Sequence, residues 1–144
     1  MVISFEKYVA EANAFIKNLA LQMGDPDNTG LAIRVTKSVF KTLRRRITPE
    51  QSMHLISQLP LILKGLYVDG WELSEKLSDS QTWDDFLAEL RNAALPSSGT
   101  DFAGDEHARK MVAAFFNTLK QYVSDGELDH LKSQLPPMIA EVIA

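Results

Sequence analysis

The 144-residue chain contains no cysteine, which excludes a disulfide framework, thiolate catalysis and cysteine-ligated zinc together. It has only three histidines, so an imidazole-based transition-metal site is poorly supplied. No stretch approaches the roughly 18 consecutive apolar residues of a spanning helix. The opening Met1-Val2-Ile3-Ser4-Phe5-Glu6-Lys7-Tyr8 also lacks a basic region followed by an apolar one. These absences predict a cytoplasmic chain with no membrane partner. Positive charge is not in surplus either: a net charge of -4 gives no overall field that gathers nucleic acid or anionic lipid. Glycine-rich phosphate loops, Gly-x-Ser-x-Gly elbows and His-Glu-x-x-His helices are missing, and scattered carboxylates do not define an acid/base pair. No cofactor is expected, and catalysis is disfavoured.

What is present is a repeat. The segment from Ala32 to Lys64 lies without gaps on Ala108 to Ala140, an offset of 76, matching at Ala32, Phe40, Thr42, Leu43, His54, Leu55, Ser57, Gln58, Leu59 and Pro60. Average composition would give about two such matches by chance. Further upstream Ser4-Phe5-Glu6 meets Thr82-Trp83-Asp84, and Tyr8-Val9-Ala10-Glu11 meets Phe86-Leu87-Ala88-Glu89. The expectation is an all-α helical bundle forming a single domain over 1–144. It is made of two tandem, pseudo-twofold-related helical repeats, about 4–70 and about 82–144, neither of which buries its apolar face alone.

Within the first repeat, Phe5, Tyr8, Val9, Ala12, Ile16 and Leu19 recur at three- and four-residue spacing, which predicts a capped amphipathic helix stopped near Gly24. Asp25-Pro26-Asp27-Asn28-Thr29-Gly30 begins like a calcium loop, but its twelfth position is Thr36 where a bidentate acid is needed. A turn with Thr29 capping the next helix is the better reading. That second helix carries Ala32, Val35, Val39, Leu43 and Ile47; its counterpart carries Ala108, Met111, Val112, Phe115, Phe116 and Leu119. Thr48-Pro49-Glu50-Gln51 has the form of a capping box with proline at the first helical position, and Ser124-Asp125-Gly126-Glu127 follows the same logic. Pro60 and Pro136 then predict a break. Ser57, Gln58, Ser133 and Gln134 are the candidates to satisfy backbone groups freed there, including the carbonyls of Ile56 and Lys132. Gly65, Gly70 and Ser78-Asp79-Ser80 break up a connector whose Trp71 docks on the core.

The Ala32-Ile33-Arg34-Val35 helix, the Ser57-Gln58-Leu59-Pro60 break and the following Gly65-Leu66-Tyr67 and Gly70-Trp71 resemble an uncharacterised prokaryotic family, domain-of-unknown-function family 2267. The resemblance covers nearly the whole chain. It implies a bacterial or archaeal origin and supplies no activity, substrate or catalytic residue to carry over.

Lys37, Lys41, Arg44, Arg45 and Arg46 form a basic run, with Lys37, Lys41 and Arg44 close to one helical face, so Lys37, Lys41, Arg44 and Arg45 are candidate phosphate or partner contacts. A solvated face is the blander reading and is favoured. The second repeat has Ala113, Asn117, Gln121 and Tyr122 at the positions of Lys37, Lys41, Arg45 and Arg46, and no aromatic residue is interleaved. The acidic residues Glu72, Glu75, Asp79, Asp84, Asp85 and Glu89 are a possible complement to that run, within the chain or between chains. His54 and His130 occupy equivalent positions. Partly buried rings, each contributing one hydrogen bond where the repeats meet, are a better reading than metal ligands.

The preferred function is a non-enzymatic protein-interaction or assembly module whose partner is protein, either a second copy or another chain. A nucleic-acid or phosphate-ligand binder using the Lys37–Arg46 run is one alternative. A small-molecule carrier or enzyme with a pocket between the repeats, lined by Gln58, Gln134 and the histidines, is the other.

Overall fold

Apolar stripes spaced for helices need other stripes to cover them, and the protein satisfies this need with helices alone. The computed structural model describes residues 4–74, 77–94 and 98–142, and among these there is no strand. The helices are α1 (Glu6–Gln22), α2 (Thr29–Leu43), α3 (Pro49–Gln58), α4 (Leu61–Val68), α5 (Trp83–Ala93), the single turn α6 (Ser98–Asp101), α7 (Asp105–Leu119), α8 (Asp125–Gln134) and α9 (Pro137–Val142).

Helix α2 is the hub, touching α1, α4, α5, α6 and α7. The first helix of each half packs on the second helix of the other half: α1 lies against α7, and α5 against α2. A chain of edge-on rings runs through this centre, with centroid separations of 6.2 Å for Phe15 to Phe115, 5.6 Å for Phe115 to Phe40, 5.0 Å for Phe40 to Tyr67 and 5.8 Å for Tyr67 to Trp71. Each such pair contributes about 0.5–1.5 kcal/mol beyond its burial. Trp71 docks on the core as the sequence predicts.

Helix boundaries follow local chemistry. Helix α1 closes with a Schellman turn: Gly24 has φ +79, its N–H reaches the Leu21 carbonyl, and the Asp25 N–H reaches Ala20. At α3 the Thr48 side chain accepts from the Gln51 N–H while the Gln51 side chain accepts from the Thr48 N–H, completing the capping box. Helices α3 and α8 stop at Gln58 and Gln134, with Leu59 (ψ 151) and Leu135 (ψ 164) extended ahead of the prolines.

Several local expectations are corrected. Helix α1 has Phe5 at its N-cap and no side-chain cap, because Ser4 precedes that position. Asn28, not Thr29, caps α2, accepting from the Leu31 N–H. Gly65 lies inside α4, and the turn falls to Gly70, whose φ is +68. The carbonyls of Ile56 and Lys132 accept from the N–H groups of Leu59 and Leu135, so they need no side chain. Ser57 and Ser133 instead bond back to the carbonyls of His54 and His130.

Candidate functional site

Cations are favoured at a helix C-terminus, where backbone carbonyls lack partners. The run that closes α2 obeys this rule, yet its arginines diverge. Arg44 is 5% exposed; its guanidinium donates to the carbonyls of Tyr67 (3.0 Å), Asp69 (2.8 Å) and Gly70 (3.4 Å), closing the end of α4. Arg46 is 6% exposed and lies over the Phe86 ring at 5.1 Å. Its Nε and Nη2 each sit 2.6 Å from Glu89 Oε2, and its Nη1 donates to the Ser80 carbonyl. Glu89 thus complements the basic run within the chain, while Glu75 lies outside the described residues.

Arg45, between them, has no hydrogen bond or ion pair on its guanidinium among the described residues, although its Nε is buried. Together with Lys41, Thr42, Arg44, Glu89, Asn92 and Ala93 it lines a cleft of about 150 Å³ between α2 and α5. Lys37 is not part of it. That side chain borders a separate groove of about 260 Å³ between α1, α2 and α4, walled by Val9, Ile16, Ile33, Ile62 and Leu66, with Asn13 as its other polar member. The structure therefore brings Lys41, Arg44 and Arg45 together and sets Lys37 apart.

A third cleft, about 300 Å³, lies where α3 meets α8 and is lined by Gln51, His54, Gly126, Glu127 and His130. Both histidines are exposed, which corrects the partly buried reading. Gln51 already uses its amide oxygen in the capping box, so its Nε2 must be the donor to His130 Nε2 at 3.1 Å. Among the described residues no three His, Asp or Glu side chains converge as a metal site would require. Gln58 and Gln134 do not line this cleft. Gln58 Oε1 instead accepts from the Ser124 N–H at 2.7 Å, and among the described residues Gln134 reaches only the neighbouring Ser133.

Sequence reasoning missed the walls of the apolar groove, since Ile33 and Ile62 lie off the core-facing stripes of their helices. It also missed the bidentate pair from Arg34 to Asp101, at 2.9 and 3.1 Å, which ties α6 to α2 and holds the Arg34 guanidinium above its ordinary pKa. Asp101 is recognisable only once α6 is placed.

Among the described residues the protein is an all-helical bundle. Residues 12–142 match the family model described as "Uncharacterized conserved protein (DUF2267)", and the chain belongs to that family. No curated protein matches it. No described helix is long and apolar enough to cross a membrane.

Proposed function

We propose that the protein is a non-enzymatic assembly module that pairs with a second copy of itself through the apolar groove between α1, α2 and α4. The observation that carries this reading is the continuity between that groove and an exposed ridge on the same helix. Phe5, Val9, Ala12 and Ile16 follow one another at helical spacing along α1; the last three line the groove, and Phe5 extends it by one turn while remaining 65% exposed. A surface that carries both a protruding aromatic ring and a vacant apolar channel is complementary to its own copy across a twofold axis. Charge supports the same pairing. Lys37 borders the groove, and Glu6, exposed beside Phe5, offers the opposite charge from the second copy.

Two further parts of the reading have support of their own. The equal lengths of α2 and α7, 15 residues each, and of α3 and α8, 10 residues each, support two tandem pseudo-twofold repeats. The family resemblance and the lack of cysteine support a prokaryotic, cytoplasmic setting.

Sedimentation equilibrium over a range of protein concentrations tests the pairing. The native chain is expected to form dimers, and Phe5→Glu and Ile33→Glu to shift it to monomer with unchanged circular dichroism. A native chain that stays monomeric at every concentration, or variants that dimerise as well as the native chain, overturns the proposal.

A further inference from the structure

The cleft between α2 and α5 is independent of that groove and carries a different chemistry. Its lining holds three cations, Lys41, Arg44 and Arg45, and one carboxylate, Glu89. Glu89 is already matched by Arg46. Arg44 spends both Nη groups on neutral carbonyls, which leave its charge unbalanced, and its buried Nε has no hydrogen-bond partner among the described residues. Lys41 and Arg45 make no ion pair with any described residue. A molecule with a net charge of -4 therefore concentrates uncompensated positive charge around one small concavity.

We infer that this cleft is a binding site for the phosphoryl group of a small phosphorylated ligand, with Arg45 and Lys41 as its charged contacts and Asn92 as a neutral donor. Arg45 fits the role because a planar guanidinium presents paired donors to a tetrahedral oxyanion and is held beside the cleft by its half-buried stem. The backbone of the same residue is fixed, since the Arg45 carbonyl accepts from the Ser78 N–H at 2.7 Å. Arg44 adds charge from behind. The volume of about 150 Å³ suits one phosphoryl group rather than a polymer backbone. With Lys37 at a separate groove, the run offers no continuous track along which successive phosphates could lie.

Calorimetric titration with inorganic phosphate, pyrophosphate and adenosine triphosphate at low ionic strength tests the site, with a single-stranded oligonucleotide as the polymer probe. Saturable binding of at least one small phosphate at one site per chain is expected, weakened at least tenfold by Arg45→Gln and also weakened by Lys41→Gln. Lys17→Gln, at an exposed position of α1, is expected to bind as the native chain does. If Arg45→Gln does not fold, the exposed Lys41→Gln carries the test. Absence of saturable binding, binding that both cleft variants retain, or an oligonucleotide held more tightly than every small phosphate overturns the inference. Each result stands apart from the dimer, which is read by sedimentation.

Discussion

Gln58 reaches across 66 positions of sequence to accept a 2.7 Å hydrogen bond from the Ser124 N–H, supplying to α8 what Gln51 supplies to α3 from within its own helix. Among the described residues the equivalent Gln134 makes only a long contact with adjacent Ser133. One tetrapeptide, Ser-Gln-Leu-Pro, is thus used asymmetrically. Gln58→Ala is expected to lower unfolding free energy by about 1 kcal/mol, because the freed N–H is exposed and can turn to water, whereas Gln134→Ala is expected to cost less than half as much. Urea denaturation of the two variants side by side measures the difference, and equal losses would show that the contact across the halves contributes nothing.

Arg44 makes a sharper prediction, because its buried guanidinium donates to three carbonyls, those of Tyr67 and Asp69 at the shorter distances. Arg44→Leu is expected to cost about 3 kcal/mol, leaving the carbonyls of Tyr67 and Asp69 without their donor. Arg44→Lys is expected to recover only part of that, since an ammonium lacks the planar fork. Chemical denaturation distinguishes this from a solvated surface arginine, whose loss would change stability by no more than about 0.5 kcal/mol.

Tyr67 ties stability to alkaline pH. Burial pushes its hydroxyl from the ordinary 10 up to about 12, with the 2.6 Å hydrogen bond to Ser52 and the charge of Arg44 opposing the shift. The folded form favours the protonated phenol, so its contribution is fully present below pH 10 and is lost as pH rises through about 12. The whole effect is roughly 2–3 kcal/mol. In Tyr67→Phe this increment of alkaline destabilisation should disappear, at a cost near neutrality of about 1–2 kcal/mol for the unpartnered Ser52 hydroxyl. Urea midpoints of both proteins compared across that pH window measure it, and parallel curves would refute it.

The helices most legible in the sequence were those with two independent local signals. Helices α3 and α8 had a cap and a proline at opposite ends, and α2 and α7 had unbroken apolar stripes, so their existence needed no tertiary information. The basic run was less legible for a physical reason. A helical wheel assigns Arg44 to a face but cannot show that the C-terminus of α4 arrives there, or that Glu89 and Phe86 of α5 arrive beside Arg46. Arg44, read as a candidate ligand contact, has its donors turned onto backbone, while Lys41 and Arg45 do share a cleft. The apolar groove was invisible for a related reason: its walls come from three helices, and no single helix shows that Ile33 and Ile62 border the same groove.

The three consecutive arginines after α2 each fasten or face a different neighbour: Arg44 the end of α4, Arg45 the cleft, and Arg46 the flank of α5. Adding or deleting one residue just before Arg44 would move each guanidinium to the next position in the turn and hand each neighbour the wrong side chain. This short turn therefore tolerates changes of side chain far better than changes of length, and a library of single-residue insertions should leave a gap there.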